Sequence, residues 1–176
     1  SIYPAQYNDV NISENDLKEI LENANYAPTH RLTQPWFFKI YQNEYRLELA
    51  NSMVNHYNSL NASKNINFKE KKIIDKCTRS SCIIAIFMNR DLSESVPEWE
   101  EIASTAMAVQ NMWLTCTEKN IGCYWSTPNY IKNMDEYFNL NDNQRCLGFF
   151  FMGSFNHSDK KPSERNNILT KTEWFK

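Results

Sequence analysis

The chain has 176 residues, a formal net charge of -2 and a sequence pI near 5.9, values that argue against a dedicated nucleic-acid binder. Its length suits one domain across 1–176 with a substantial buried core, and no apolar run approaches the ~20 residues a membrane-spanning helix needs. The five cysteines (Cys77, Cys82, Cys116, Cys123, Cys146) are odd in number, lack a C-x-x-C pair and sit mostly in apolar stretches, which suits reduced thiols in the cytoplasm. The start, Ser1-Ile2-Tyr3-Pro4, has neither Met nor the layout of a signal peptide, as expected after processing or loss of upstream residues.

In chain order, Ser13 followed three residues later by Asp16 predicts a capped helix whose apolar face carries Leu17, Ile20, Leu21 and Ala24. That helix stops before Pro28, and Pro35 fixes entry into a strand over 36–41 with apolar residues on both sides, so both faces are expected to be covered. The polar loop between the two prolines has a backbone free for a ligand. Ala50, Met53, Val54 and Tyr57 predict a second helix. The Asn-rich stretch 58–67 reads as a loop or mobile lid, helix resumes over 68–76, and 82–88 is a buried strand. Pro97 opens the longest helix, so apolar around Ile102, Ala103, Ala106, Met107, Val109, Met112, Trp113 and Leu114 that it should be buried in the core or between subunits. Gly122 fits the position just past its end, 146–152 is a third strong strand, and 168–175 a possible final one.

Side-chain chemistry is conspicuous by what cannot be written. With only three glycines no G-x-G-x-x-G exists, and Gly148 and Gly153 match only the outer spacing of a phosphate loop, with Ser154-Phe155 where Lys and a hydroxyl residue belong. His30, His56 and His157 lack metal-ligand spacing, no nucleophile elbow occurs, and Cys77 and Cys82 lead into a core strand. Glu98, Glu100 and Glu101 sit in the first turn of the long helix, where the dipole accounts for them. No metal site and no catalytic side chain is expected, a pattern suited to an enzyme whose cofactor performs the chemistry.

Two segments carry a family likeness: Ala27-Pro28-Thr29-His30-Arg31-Leu32-Thr33-Gln34-Pro35-Trp36-Phe37-Phe38, and Ala106-Met107-Ala108-Val109-Gln110-Asn111-Met112-Trp113-Leu114 followed by Ile121-Gly122. Together, in this order, they resemble the signature loop and central helix of the nitroreductase family of FMN-dependent oxidoreductases. The resemblance implies an α+β fold with an antiparallel-rich central sheet flanked by helices, assembled as a homodimer with FMN at the subunit interface. It implies hydride transfer from NADH or NADPH to flavin N5, then to a nitroaromatic, quinone or similar electrophilic acceptor.

Carried over by position, Pro28, Thr29, His30 and Gln34 would approach the flavin, this loop coming from one subunit and the bulk of the site from the other. Trp125, Ser126 and Thr127 would border the isoalloxazine with their backbone. Ser1 matches the Ser of the family's Arg-Arg-Ser-type phosphate segment, whose arginines would precede the first residue, and Lys160 and Lys161 match the C-terminal basic pair. Leu32 stands where relatives carry Asn. Within the same fold the alternatives are a flavin-fragmenting or dehalogenating enzyme, and outside it in function, a flavin-binding homodimer without turnover.

Overall fold

Ser13 opens α1 (Glu14–Ala24) as expected, its hydroxyl accepting the Asp16 amide at 3.1 Å and donating to the Asp16 carboxylate at 2.6 Å, a cap of about 1 kcal/mol. The structure, a computed structural model, describes residues 1–61, 66–156 and 164–176. After Pro35 comes β1 (Trp36–Tyr41), then α2 (Tyr45–Leu60), α3 (Ile66–Arg79), β2 (Cys82–Asn89), α4 (Glu98–Glu118), β3 (Ile121–Ser126), the short α5 (Asp135–Phe138) and β4 (Gln144–Ser154). The four strands form one antiparallel sheet in the order β1-β2-β4-β3.

The central strands explain the layering. Every residue from Cys82 to Met88 is fully buried, as are Phe149, Phe150, Phe151 and Met152 opposite them, so both faces of the sheet must be covered. On one face Ile84, Ile86, Phe150 and Met152 pack with Leu17, Ile20 and Ala24 of α1 and Ala108, Val109 and Met112 of α4. On the other, Ile83, Ala85, Phe87 and Phe151 pack with Leu49 and Met53 of α2, Ile73 and Cys77 of α3, and Phe138 of α5. The expected α+β architecture, helices flanking an antiparallel sheet, is the one observed.

Four expectations need correction. β1 is an edge strand, and Phe37 on one of its faces and Ile40 on the other remain exposed. Gly122 lies within β3; the turn after α4 is made by Asn120 at φ 57°, a conformation Asn tolerates. Residues 168–175 form no strand, because among the described residues no neighbouring strand offers them a ladder; Asn167 caps a single turn, Ile168–Lys171, and Trp174 and Phe175 are exposed. Helix also extends further than expected around the Asn-rich stretch, α2 reaching Leu60 and α3 starting at Ile66, while residues 62–65 lie outside the described residues.

The interior of α4 differs most from its hydrophobic pattern. Glu101, Ser104, Thr105, Thr115 and Cys116 are buried beside Ala108, Val109 and Met112, whereas Ile102, Met107 and Leu114 face outward. Small side chains let α4 lie close to α1 and the sheet. Their hydroxyls are satisfied by back-bonding within the helix, Thr105 to Glu101 O and Thr115 to Asn111 O, each at 2.9 Å.

The first eight residues lap over the β3–β4 pair. The Ile2 amide donates to Cys123 O at 3.1 Å and the Asn8 amide to Ser154 O at 2.8 Å. Between them the Tyr7 ring lies on Gly122 and Gly153, which face each other across the two strands. A Cβ at Gly153 would come within 2.4 Å of Tyr7 Cδ2, and one at Gly122 within 2.9 Å of Tyr7 Cε1. Only glycine leaves room for that ring. The Tyr7 hydroxyl sits 3.0 Å from both Ile2 O and Phe151 O, and burial pushes its pKa far up.

Candidate functional site

The proline-bracketed loop is tightly wound. Arg31, Leu32 and Gln34 take φ values of 52, 55 and 42°, a left-handed backbone that non-glycine residues adopt at a cost. The Thr29 hydroxyl accepts the Gln34 amide at 3.0 Å and lies 3.3 Å from the Thr33 hydroxyl, and the Thr33 amide donates to His30 O at 3.2 Å. His30 Nδ1 stands 2.6 Å from a Glu100 carboxylate oxygen at the start of α4. Pro35 O accepts the Asn89 amide at 2.7 Å, tying the loop's exit to the end of β2. Thr29 therefore shapes the loop with its hydroxyl, and Leu32 projects outward, 78% exposed.

A second cluster forms at the end of β3. The Trp125 indole donates to Leu147 O at 3.0 Å and lies over Gly148, whose φ of 136° and lack of Cβ make the space; a Cβ there would meet Trp125 Nε1 at 2.3 Å. The Trp125 side chain is thus committed to packing, which leaves the strand-end backbone as its contribution to a ligand. On the opposite face Lys76 of α3 extends its ammonium to within 3.5 Å of Ser126 Oγ and 4.4 Å of the Phe151 ring centroid. Burial lowers its pKa, and among the described residues no carboxylate pairs with it. Tyr124 stacks on Phe151 at 5.2 Å and packs at a tilt against Tyr3 at 4.9 Å, and burial pushes the Tyr124 phenol up to about 12. Because Ile2 bonds Cys123, Ser1 lies alongside the same strand, and the turn Pro4–Gln6 packs against α3.

The structure thus gathers Ser1, Trp125, Ser126 and Thr127 in one region and Pro28, Thr29, His30 and Gln34 in another; Lys160, Lys161 and His157 lie outside the described residues. β1 and β3 are opposite edges of the sheet, three strand spacings apart, or about 14 Å. Lys76 was not among the expected site residues. Its signal was nonetheless present, since Ile73, Lys76, Cys77 and Ser80 fall at i, i+3, i+4 and i+7, placing a cation on the buried stripe of α3. The acids at the start of α4 do more than complement its dipole: Glu98 pairs with Arg145 at 2.7 Å, Glu100 with His30, and the fully buried Glu101 with Arg90.

The thiols are structural. Cys77 and Cys82 are fully buried, and burial pushes both up to about 12, well above the reactive range.

Comparison with known proteins agrees with this architecture. The chain is 30% identical over 140 residues to the Bacillus subtilis protein named "Putative NAD(P)H nitroreductase YfhC", covering 77% of this chain and 70% of that one. It is 26% identical over 144 residues to Escherichia coli (strain K12) YdjA, named in the same way, covering 78% and 75%. Among solved structures, a nitroreductase-like family protein from Bacillus cereus superposes with a TM-score of 0.84 at 26% identity, over 97% of this chain and 89% of that one. A Desulfovibrio desulfuricans chain solved in complex with FMN shares the fold at a TM-score of 0.73 and 20% identity, over 100% and 92%. The sequence profile of the nitroreductase family matches residues 1–154, and the chain belongs to that family.

Proposed function

We propose that this chain is one FMN-binding domain of a homodimeric, cytoplasmic oxidoreductase that takes hydride from NADH or NADPH and delivers it to nitroaromatic, quinone or similar electrophilic acceptors. The observation that carries the reading is Lys76, a half-buried ammonium with a lowered pKa, a hydroxyl and an aromatic face for company, and no carboxylate among the described residues. A cation in such surroundings is stabilised by a polar, electron-rich ligand edge. The Desulfovibrio relative's FMN supports the choice of ligand.

In this reading Lys76 and Ser126, with the backbone of Trp125 and Thr127, hold the polar edge of the ring system. Ser1, Lys160 and Lys161 hold the phosphate, and Pro28, Thr29, His30 and Gln34 of a second copy cover the ring. FMN held there would supply the redox chemistry, hydride transfer between NADH or NADPH and the second substrate. The chain binds, orients and excludes water. Lys76 favours negative charge on the ligand edge, the Trp125 indole fixes the strand end through Leu147 O, and no side-chain acid or base is required.

The test starts with colour. The purified protein should be yellow, and NADH or NADPH should bleach it under argon; a yellow protein that neither nucleotide bleaches would be the flavin-binding dimer without turnover, which the exposed Leu32 in place of a polar residue favours. Lys76→Met should weaken FMN binding roughly tenfold, the loss of one charge-assisted hydrogen bond. Wild-type affinity in that variant, measured by quenching of flavin fluorescence, would remove the reading's central support.

A further inference from the structure

The loop ahead of β1 holds three non-glycine residues in the left-handed region within four positions, with no glycine to relieve them. Such backbone persists where its surroundings over-determine it. Most of its ties are internal, running among Thr29, His30, Thr33 and Gln34, and its exit is fixed through Pro35 O. Among the described residues, the side-chain tie from the loop to another element is the 2.6 Å bond between His30 Nδ1 and Glu100. Glu100 is well placed to hold something still. It belongs to the 21-residue helix α4, and its neighbours Glu98 and Glu101 are each paired to arginines, Arg145 and Arg90, that anchor the helix start to the sheet.

We propose that Glu100 is a positioning residue: through His30 it clamps the strained loop against α4 in the conformation that presents the loop backbone to the acceptor side of the flavin. This rests on the reading of the loop as part of an FMN site. The competing role for Glu100, complementing the α4 dipole, makes a different demand, because a dipole needs the negative charge whereas the clamp needs an acceptor oxygen facing His30.

Trypsin separates them. The Arg31–Leu32 bond is exposed, and its cleavage reports loop opening when followed by mass spectrometry on the full chain, with FMN and stripped of it. Glu100→Ala should speed cleavage at Arg31 roughly two- to fivefold, as expected for loss of one partly exposed side-chain hydrogen bond, with the thermal midpoint unchanged. Glu100→Gln, which keeps the acceptor, should stay near wild type, and adding His30→Ala to Glu100→Ala should add nothing. In the flavin-loaded enzyme, Glu100→Ala should raise the acceptor KM by a similar factor with little change in kcat. Unchanged cleavage in Glu100→Ala, equal effects of Gln and Ala, or faster cleavage without a change in KM would each overturn the proposal. A wild-type protein that binds no FMN would instead sink the flavin reading, and the cleavage measurement on flavin-free protein keeps the two failures apart.

Discussion

At the scale of single residues, the two glycines beneath Tyr7 show how a missing side chain sets a position elsewhere. The ring can lie flat on β3 and β4 only because neither Gly122 nor Gly153 carries a Cβ, and the ring in turn fixes the arm that brings Ser1 beside the candidate site. Gly153→Ala should therefore destabilise by about 1–3 kcal/mol through overpacking. The same change in a Tyr7→Ala background should cost much less, since the clashing ring is gone. Urea unfolding of the four proteins in the cycle measures the coupling. Additive effects would show that the arm is not seated by this contact. Tyr7→Phe separates the ring from its hydroxyl, which contributes about 1 kcal/mol through the two carbonyls it faces.

At the scale of elements, the connection from β2 to α4 is held by acids in two different ways. Glu101 is buried against Arg90 and also accepts the Asp91 amide at 2.9 Å, while the Asp91 carboxylate gathers the Ser93 and Ser95 hydroxyls and the Ser95 amide. Those bonds hold the Asp91 carboxyl well below the usual carboxylate range. A depressed folded pKa contributes stability that is full above about pH 4, the unfolded value, and is lost as pH falls from there toward the folded one. Asp91→Asn should accordingly flatten the acid limb of the stability profile below pH 4, read from thermal midpoints, and an unchanged limb would assign the acid sensitivity elsewhere. The elements themselves were unequally legible. Ser13 and Asp16 announced α1, and the branched and aromatic runs at 82–88 and 146–152 announced the two central strands, because burial on both faces leaves an uninterrupted apolar string. The orientation of α4 was not legible, since close packing selected small and hydroxyl side chains for its inner face and left larger apolar ones outside. The 168–175 tail has strand-like residues but, among the described residues, no partner strand, and pairing is not a property of one segment. Of the candidate site, the proline-bracketed loop and the 125–127 segment were named from sequence, whereas Lys76, although its helical spacing marks it on the buried stripe of α3, joined the proposal through its place across Phe151 toward Ser126.

At the scale of the whole molecule, the two parts of the candidate site lie at opposite edges of one sheet, with two strands between the Pro28 loop's β1 and the β3 end. The proposed dimer has a candidate contact on the outer face of α4, where Ile102, Met107 and Leu114 are 36, 39 and 57% exposed and, with Ala106 between them, form an apolar stripe broken by Gln110. Leaving such a stripe in water is unfavourable, and an obligate dimer typically covers more than ~2,000 Å² in total, enough that folding and association become inseparable. If this stripe is the contact and the site is shared, assembly and flavin binding must fail together. Leu114→Glu places a charge at the C-terminal end of the stripe, on its most exposed residue, so the fold of one chain should survive while pairing is lost. Sedimentation of the variant at micromolar protein should give a folded monomer, with the circular dichroism of wild type and FMN affinity reduced by tenfold or more. A Leu114→Glu monomer that binds FMN as tightly as wild type would show that one chain suffices for the site, and a variant that remains dimeric would place the contact on another face.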